Sequence, residues 1–499
     1  MARIAVIGAG MGAMAAAARL AVAGHRVVVY ERGETYGGAL GSVEREGFVF
    51  DTAPGLLTLP AVYRDLFVKT GRQPLEECVE LAQVEPAVRH VFADGTGVHL
   101  ANASRAAVGE ALDHALGRGS GERWAAFMNR ARDAWDRTRR PLLEEPLWPN
   151  WQVLADREPY PAPTRRRLLR RDRSAATLSE IAELELGGDA RLRALLEHHA
   201  LTAGLDPRTA PASAAVLPYL EQTFGVWAVR GGLRALASAV HERCVARRVE
   251  FRFGAAVTGI VEKDGRAAGV ELADGTVDQA AFVVAGVAPG VLDRLLRGVP
   301  ARTPDEVPGR TGLPSRLTLL LALRGPRPKD AVHRTVVHTG DRGAELDRLF
   351  AAAPGVPAEP TVTVLRPAGP GPAPDAEHEA VTATATVPAG AAVTEADVER
   401  VLTRAERAVE GLRERLLWHE VRTPAHVAEA TGAEGGAVPP PALAAGGGRL
   451  LHPSNATRLP GLFTVGGWSH PGGGLPHAGM SGALVAGLIV EGPGFRGSQ

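Results

Sequence analysis

The stretch that decides the fold lies close to the N-terminus and reads Ile4-Ala5-Val6-Ile7-Gly8-Ala9-Gly10-Met11-Gly12-Ala13. Its four leading apolar residues predict a buried parallel strand, and the Ala-rich segment that continues to about Ala23 predicts a helix directly after the glycine turn. Residues Arg26–Tyr30 predict a second strand, and Glu31 follows it. A strand, a glycine turn, a helix, a second strand and an acid, in this order, form the complete fingerprint of a dinucleotide-binding site.

Each part of this fingerprint has a physical role. Gly8 allows the tight turn, and Gly10 has no side chain, so that the backbone can approach a pyrophosphate. The amides at the start of the helix point at that negative charge. Ala13 stands at the third glycine position, where close packing of helix and strand tolerates Ala. Glu31 is predicted to accept hydrogen bonds from both hydroxyls of an adenosine ribose, which disfavours a 2′-phosphorylated ribose and therefore NADP.

Size, charge and cysteine content exclude several classes of protein. A chain of 499 residues suits two interleaved domains. Lys+Arg and Asp+Glu both total 56, so the basic excess typical of nucleic-acid binding is missing. Cys78 and Cys244 cannot form a disulfide framework, which predicts a reducing compartment. The apolar stretch Ala13–Gly24 contains Arg19 and is too short to cross a bilayer. We expect a cytoplasmic protein without a signal peptide, with peripheral membrane contact as an alternative.

The sequence after Glu31 carries a resemblance to a known superfamily. Five residues separate Glu31 from the doublet Gly37-Gly38, and Gly47–Gly55 follows shortly afterwards. These motifs resemble the glycine-doublet flavoproteins, the superfamily of amine oxidases and carotenoid desaturases. The resemblance implies that FAD is the cofactor and that the doublet lies along its diphosphate.

The chain departs from that superfamily directly after the doublet, where Ala39 stands in place of the usual Arg or Lys. A cation that normally balances the diphosphate is therefore missing, which would lower the affinity for FAD. Arg32 and Arg45 are two possible substitutes between which the sequence does not decide.

The middle and the C-terminal end extend the resemblance. Gly225–Leu233 and the strands that follow, as far as Phe282–Ala285, resemble the block that returns a carotenoid desaturase to its FAD domain. The segment Leu462–Gly482, with its His-Pro-Gly tripeptide, resembles the closing motif, and a small-residue helix follows to about Val490. The start of that helix is implied to stabilise negative charge at the flavin N1–C2 carbonyl.

Two further departures lie in the closing motif. Gly467 stands where many flavoproteins have an acid that faces the ribityl chain, and His477 stands where the family usually has Gly. An imidazole satisfied by loop backbone is the favoured interpretation of His477, with catalysis as the alternative.

The fingerprint and the resemblance together imply a set of site residues. Those expected at the cofactor are Gly8, Gly10, Met11, Gly12, Ala13, Glu31, Arg32, Gly38, Ala39, Leu40, Pro54, Gly55, Leu56, Leu57, Val257, Gly466, Gly467, Leu475, Pro476, His477 and Met480. Val257 matches a position whose backbone contacts the adenine side of FAD. The catalytic candidates are His470, His477 and Trp468, and no Cys/His spacing predicts a metal site.

The resemblance implies an α/β fold, namely a Rossmann-like FAD-binding domain with an inserted α+β substrate domain. Residues 1–60, 224–300 and 446–499 are expected to form the FAD-binding domain, 61–223 a mainly helical insertion that faces substrate or membrane, and 301–445 a mixed sheet. The strand-like runs are Leu317–Leu323, Thr335–His338, Thr361–Leu365 and Val381–Thr386, and a helix is predicted near Glu395–Leu417. The basic run Arg165–Arg173 is interpreted as a solvated helix face, with docking to an anionic membrane or an acyl-carrier protein as the alternative.

The function implied by the resemblance is hydride removal from an apolar, partly conjugated substrate, such as a carotenoid, a polyene or a cyclised polyketide, free or bound to a carrier. A flavin amine oxidase is one alternative, which the presence of only Lys69, Lys263 and Lys329 disfavours because many such enzymes place a lysine near the flavin. A polyene isomerase without net redox change is the other alternative. The sequence leaves the electron acceptor open.

Overall fold

The computed structural model describes residues 1–53, 55–163, 174–297, 312–369 and 371–497. The predicted cofactor residue Pro54 and the basic run Arg165–Arg173 lie outside these ranges. The α-helices in the described ranges are α1 (Met11–Val22), α2 (Ala61–Gly71), α3 (Arg105–Leu116), α4 (Ser120–Arg139), α5 (Gln152–Asp156), α6 (Leu178–Glu185), α7 (Ala190–Thr202), α8 (Val216–Phe224), α9 (Leu233–Ala246), α10 (Pro289–Leu295), α11 (Arg342–Phe350), α12 (Glu395–Ala405), α13 (Leu412–Arg415), α14 (Pro424–Thr431) and α15 (Leu475–Val490). A π-helix, Arg140–Glu144, directly follows α4.

The β-strands in the same ranges are β1 (Arg3–Ile7), β2 (Arg26–Tyr30), β3 (Ser42–Arg45), β4 (Phe48–Asp51), β5 (Leu57–Thr58), β6 (Leu81–Gln83), β7 (Val88–Val91), β8 (Gly97–Leu100), β9 (Val226–Val229), β10 (Glu250–Arg252), β11 (Val257–Lys263), β12 (Arg266–Leu272), β13 (Val277–Gln279), β14 (Phe282–Ala285), β15 (Pro314–Arg324), β16 (Arg334–Val337), β17 (Val362–Leu365), β18 (His378–Pro388), β19 (Leu416–Arg422) and β20 (Leu462–Thr464).

A five-stranded parallel sheet forms the centre of the first body, in the order β10, β2, β1, β14, β20. Its strands come from the N-terminal, middle and C-terminal parts of the chain, so this body closes only when the three parts meet. One face packs on α1, α9 and α15, and the other packs on β12 and α10. Both faces are therefore buried, as expected for a parallel sheet. The α/β, Rossmann-like fold is confirmed.

A seven-stranded sheet forms the second body, in the order β19, β15, β18, β17, β16, β7, β8. All its pairs are antiparallel except β16 with β7. The four strand-like runs predicted between residues 317 and 386 all lie in this sheet. Two of its strands, β7 and β8, come from the stretch predicted to be mainly helical, so the sheet draws on a wider part of the chain than the sequence indicated.

The helix predicted near Glu395–Leu417 is wrong in its second half. Helix α12 ends at Ala405, and Gly411 adopts a positive φ of 63° before the short helix α13. Leu416 and Leu417 already belong to β19, which pairs with β15. Edge pairing with a buried strand therefore overrides the local helical pattern.

A helical body packs against one face of this second sheet. Its core contains Trp124 and Phe127 from α4 and Leu195 from α7, and it continues onto Val88 and Val336 of the sheet. The other face of the sheet is covered by α12. Across the described ranges, no helix has both the length and the apolar character that crossing a membrane requires.

Candidate functional site

The glycine turn after β1 meets the glycine doublet. Gly8 has a positive φ of 89° and donates its amide to the carbonyl of Tyr30 at 2.8 Å. The amide of Gly37 donates to the carbonyl of Ala9 at 2.8 Å. A Cβ on Gly38 would lie only 3.1 Å from the Cα of Gly10. Two motifs that are nearly thirty residues apart in sequence therefore form one backbone surface.

Open space borders this surface, while the glycines beneath it are tightly packed. A Cβ built on Gly10 or Gly466 would meet no atom within 4 Å. On Gly12 it would lie 2.9 Å from the Cα of Gly466 and 3.0 Å from the carbonyl oxygen of Ala478. The glycine turn, the end of β20 and the start of α15 thus converge, and their exposed backbone leaves room for an anionic dinucleotide at the start of α1.

Glu31 closes one end of this surface. Its Oε2 accepts a hydrogen bond from the amide of Ala9 at 2.8 Å, and its Oε1 accepts one from Gly33 at 2.9 Å. Each carboxylate oxygen keeps a second lone pair for a ribose hydroxyl. The amide of Ala255 donates to the Glu31 carbonyl at 2.9 Å, so the backbone that leads into Val257 also lies beside this acid.

Arg32 and Arg45, the two possible substitutes for the cation missing at position 39, bind other parts of the protein. Arg32 donates to the carbonyl of Glu429, near the end of α14. Arg45 stacks on Trp418 at 4.4 Å and pairs with Glu46 at 3.2 Å. Ala39 itself is exposed.

Arg234, which the sequence reasoning missed, lies at the doublet. Its guanidinium donates to the carbonyls of Tyr36 and Leu40, and the second of these contacts is 3.2 Å long. The sequence contained one indication of this role. Arg234 directly follows Gly231-Gly232-Leu233, which belongs to the block that resembles part of an FAD domain.

Two buried polar residues hold the closing motif. The hydroxyl of Ser481 accepts a hydrogen bond from the amide of Gly466 at 2.9 Å and another from Nδ2 of Asn455 at 3.1 Å. The same Nδ2 donates to the carbonyl of His470 at 2.8 Å. Both side chains are fully buried. The sequence did not point to Asn455, because it lies in no recognised motif. Ser481 lies within the closing motif Leu462–Gly482, but it was not among the predicted site residues.

The start of α15 presents the other predicted residues of the closing motif, Leu475, Pro476, His477 and Met480. The first amides of a helix have no partner within it, so this end attracts negative charge. The hydroxyl of Tyr63 donates to the carbonyl of Leu475 at 2.9 Å and ties α2 to this end.

Packing explains why the acid expected at position 467 is missing. A Cβ on Gly467 would lie 2.9 Å from Cγ of Pro439 and 3.3 Å from the Cα of Gly473. An acidic side chain at this position would require the Pro439 ring to shift and the backbone of Gly473 to give by a few tenths of an ångström.

The three catalytic candidates lie in different surroundings. His470 is fully buried, its Nε2 donates to the carbonyl of Glu145 at 2.9 Å, and burial lowers its pKa to about 4. Trp468 is half-buried. His477 lines an apolar cavity, and desolvation lowers its pKa to about 4 as well, so its imidazole is neutral at pH 7. Of the three side chains, only His477 lines that cavity.

The predicted residues after the doublet are mostly packing residues in the structure. Leu40 and Leu57 belong to the core beneath the parallel sheet, and Leu57 pairs with Trp227. Leu56 is partly buried, and a Cβ on Gly55 would lie 3.4 Å from a methyl group of Leu365. Contacts of these residues with a cofactor would be made through their backbone.

The cavity beside His477 lies where the helical body meets the closing motif. Its wall combines α4, the π-helix, α8 and the segment before β20. The lining residues are Trp135, Thr138, Arg139, Leu142, Leu143, Val216, Leu217, Leu220, Pro441, Ala442, Leu443 and His477. Most of these side chains are apolar, and the lining contains no carboxylate.

Comparison with known proteins agrees with this geometry. The family model described as flavin containing amine oxidoreductase matches residues 14–490. The chain is 29% identical to a 4,4′-diapolycopene oxygenase from Methylomonas sp, over 98% of each chain. It is 30% identical to a hydroxyneurosporene desaturase from Cereibacter sphaeroides, over 98% of this chain and 97% of that protein. An oxidoreductase from Methanosarcina mazei superposes with a TM-score of 0.63 at 16% identity, over 97% of this chain and 99% of that one.

Proposed function

The chain belongs to the flavin containing amine oxidoreductase family, and from this premise we propose that it introduces a double bond into an apolar, partly conjugated chain. It is an FAD-dependent oxidoreductase of the phytoene desaturase-like type. The proposed substrate is a carotenoid or a related polyene, and the reaction removes a hydride from one carbon and a proton from its neighbour.

The observation that carries this proposal is the apolar lining of the cavity beside His477, which at ≈ 20 Å³ has room for about one water, so a substrate chain would have to displace its walls. Trp135, Leu143 and Leu220 offer a conjugated hydrocarbon dispersion contacts and no hydrogen bonds. An amine, which is protonated at pH 7, would find no carboxylate in this lining and would be costly to bury there. All three lysines of the chain are exposed, and none of them lines the cavity.

The residues around the open backbone surface fit FAD. When bound, FAD supplies a two-electron acceptor for hydride transfer. The start of α1 and the doublet would hold its diphosphate, and Glu31 its ribose. The start of α15 would stabilise negative charge that develops on the ring system, with Asn455 and Ser481 keeping that segment in place.

His477 is the group that we propose to accept the proton. Its imidazole is neutral at pH 7 and therefore keeps one nitrogen lone pair, and it lines the cavity from the first turn of α15. His470 would position the closing motif without contacting substrate, because it is fully buried. Trp468, which is half-buried and does not line the cavity, would have no part in the proton transfer.

The domain organisation and the cellular setting belong to the same proposal. Residues 1–60, 224–300 and 446–499 would bind FAD, and the two inserted stretches would bind substrate. Because an apolar polyene partitions into lipid, a cytoplasmic protein would collect it at a membrane surface or from a carrier. The electron acceptor is not assigned.

Anaerobic titration of the purified holoprotein tests the proposed reaction. We expect the flavin absorbance to bleach on addition of phytoene or a partly desaturated carotenoid in detergent micelles, with formation of a more conjugated product. Putrescine, a representative amine, is expected to leave the spectrum unchanged. Bleaching by the amine alone would establish an amine oxidase, and a change of double-bond geometry without bleaching would establish an isomerase. Either result overturns the proposal.

A further inference from the structure

The guanidinium of Arg234 binds the loop Thr35–Leu40 to α9 at several points. Arg234 donates from one nitrogen to the carbonyls of Tyr36 and Leu40 and from the other to the hydroxyl of Thr35. Its guanidinium also stacks on the ring of Tyr36 at 4.2 Å. One turn later on α9, the hydroxyl of Ser238 lies 2.6 Å from that of Tyr36. The loop that carries the glycine doublet is thus anchored at both of its ends.

The backbone of Arg234 is itself fixed by the carboxylate of Asp51. The carboxylate of Asp51 accepts hydrogen bonds from the amides of Leu233 at 2.7 Å and Arg234 at 3.2 Å. A Cβ on Gly232 would lie 2.5 Å from Oδ2 of Asp51, so the backbone before α9 packs directly on this carboxylate. The guanidinium therefore starts from a backbone position with little freedom, which reduces the entropy lost when it binds the loop.

Charge gives this anchor a second role. The carbonyls of Tyr36 and Leu40 flank the doublet, and Gly38 lies against Gly10, where a diphosphate would approach the start of α1. Carbonyl oxygens next to a diphosphate are unfavourable unless a cation is close by. Ala39 offers no cation, and Arg32 and Arg45 are engaged with Glu429 and Trp418.

We propose that Arg234 is the positioning cation of the FAD diphosphate: it holds the doublet loop against the glycine turn and supplies the positive charge that position 39 lacks. This inference rests on the FAD site of the proposed function but is independent of the substrate. Arg234 acts through the loop, so its effect falls on binding of the cofactor and not on the chemical step.

Retention of FAD by the holoprotein tests the role of Arg234. For Arg234→Gln, which keeps hydrogen-bond donors but removes the charge, we expect the Kd of FAD at low salt to rise about tenfold, the size of one partly screened charge contact. Between 50 and 500 mM NaCl (about 14 and 4 Å of screening length) the difference from wild type should shrink. Arg234→Lys should recover most of the affinity. The matched control is Arg230→Gln, four residues earlier, where an exposed arginine pairs with Glu80 at 2.7 Å.

Two results would overturn the inference. One is an unchanged Kd in Arg234→Gln. The other is an equal, salt-independent loss in the Gln and Lys variants, which would mean that the side chain only fills space. A wild-type protein that holds no FAD would instead overturn the proposed function, so the two failures are distinguishable.

Discussion

The carboxylate of Glu31 serves the protein and the expected ligand at once. It accepts hydrogen bonds from the amides of Ala9 and Gly33. The first of these bonds fixes the turn that faces the diphosphate, and the second fixes the chain just after the acid. A ribose would therefore meet a carboxylate whose rotamer is already set, so little entropy is lost on binding.

Glu31→Gln is expected to weaken FAD binding by at least about tenfold. The side-chain NH2 of Gln would either face a backbone N–H donor or replace the charged oxygen that accepts from a ribose hydroxyl. The measurement is the ratio of flavin to protein absorbance after gel filtration, followed by the Kd from fluorescence titration. Glu34→Gln, at an exposed position three residues later, is the control and should retain full flavin content. An unchanged ratio in Glu31→Gln would remove the ribose contact from the proposed site.

Among the residues of the site, the sequence predicted those whose positions depend on local chain geometry. The glycines at positions 8, 10, 37 and 38 and the acid at 31 lie within one short unit, so their spacing already places them together. Arg234 and Asn455 reach the site only after distant parts of the chain fold onto it. Neither stands at a position where the backbone demands one residue type, so no local pattern could reveal them.

Helices α1 and α15 illustrate how an element-level contact positions the site. A Cβ on Gly482 would lie 2.6 Å from the carbonyl oxygen of Gly12 and 2.7 Å from Cβ of Ala15. The two helix backbones therefore touch, and the start of α15 is drawn toward the glycine turn. Small residues along α15 are required by this contact, which explains the small-residue pattern seen in the sequence.

Gly482→Ala is expected to lower the free energy of unfolding by about 1–3 kcal/mol through overpacking and to lower the flavin content as α15 shifts. Urea denaturation of the apoprotein and the flavin-to-protein ratio of the holoprotein measure the two effects. Gly290→Ala in α10 is the matched control, because its new Cβ would find only a flexible arginine end at 3.9 Å. If the two variants behaved alike, the close helix contact would not be what positions α15.

Element prediction failed where a local pattern competed with sheet pairing. The run after Ala405 looks helical on its own, yet Leu416–Arg422 pairs with β15 along most of its length, with one irregularity at Leu417. Strands β7 and β8 were missed for a related reason. They are only four residues long and become strands because β16 pairs with β7.

At the scale of the whole molecule, a cluster of histidines marks the junction of the seven-stranded sheet and the helical body. Nδ1 of His90 on β7 lies 2.9 Å from Nε2 of His338, and His198 of α7 packs edge-on against both rings. Burial lowers the pKa of His90 to about 3, and the pKa values of His198 and His338 are also lowered. The imidazoles of this cluster are therefore neutral in the folded protein at pH 7.

This junction is expected to lose stability in mild acid. In the unfolded chain a histidine has a pKa near 6.5, so the unfolded state binds protons as the pH falls below 6.5 while folded His90 does not until about pH 3. From pH 7 to pH 5, this difference in proton binding at His90 lowers the free energy of unfolding by about 2 kcal/mol. His90→Leu should therefore be less stable at pH 7, since His338 loses a partner, but should show a flatter pH dependence in urea denaturation. The control is His114→Leu, at an exposed site on α3, which should keep the wild-type dependence of the unfolding free energy on pH. If His90→Leu also kept that dependence, His90 would not be a source of the acid sensitivity.

The cavity beside His477 exists only where the helical body, the π-helix and the closing motif meet, so no single stretch of sequence predicts it. Leu220 of α8 and the segment Pro441–Leu443 both line it. Leu220→Trp should overpack the apolar lining and reduce the rate of flavin reduction by phytoene at least about tenfold, because the larger ring would block a substrate chain on its way to the start of α15. Flavin content should stay close to wild type, whereas thermal stability should fall, because a cavity of ≈ 20 Å³ cannot take the larger ring without displacing its walls. Leu417→Trp, on an exposed position of β19, is the control for the added ring. Unchanged flavin reduction in Leu220→Trp, with the ring shown to occupy the cavity, would require the polyene to approach His477 by another route.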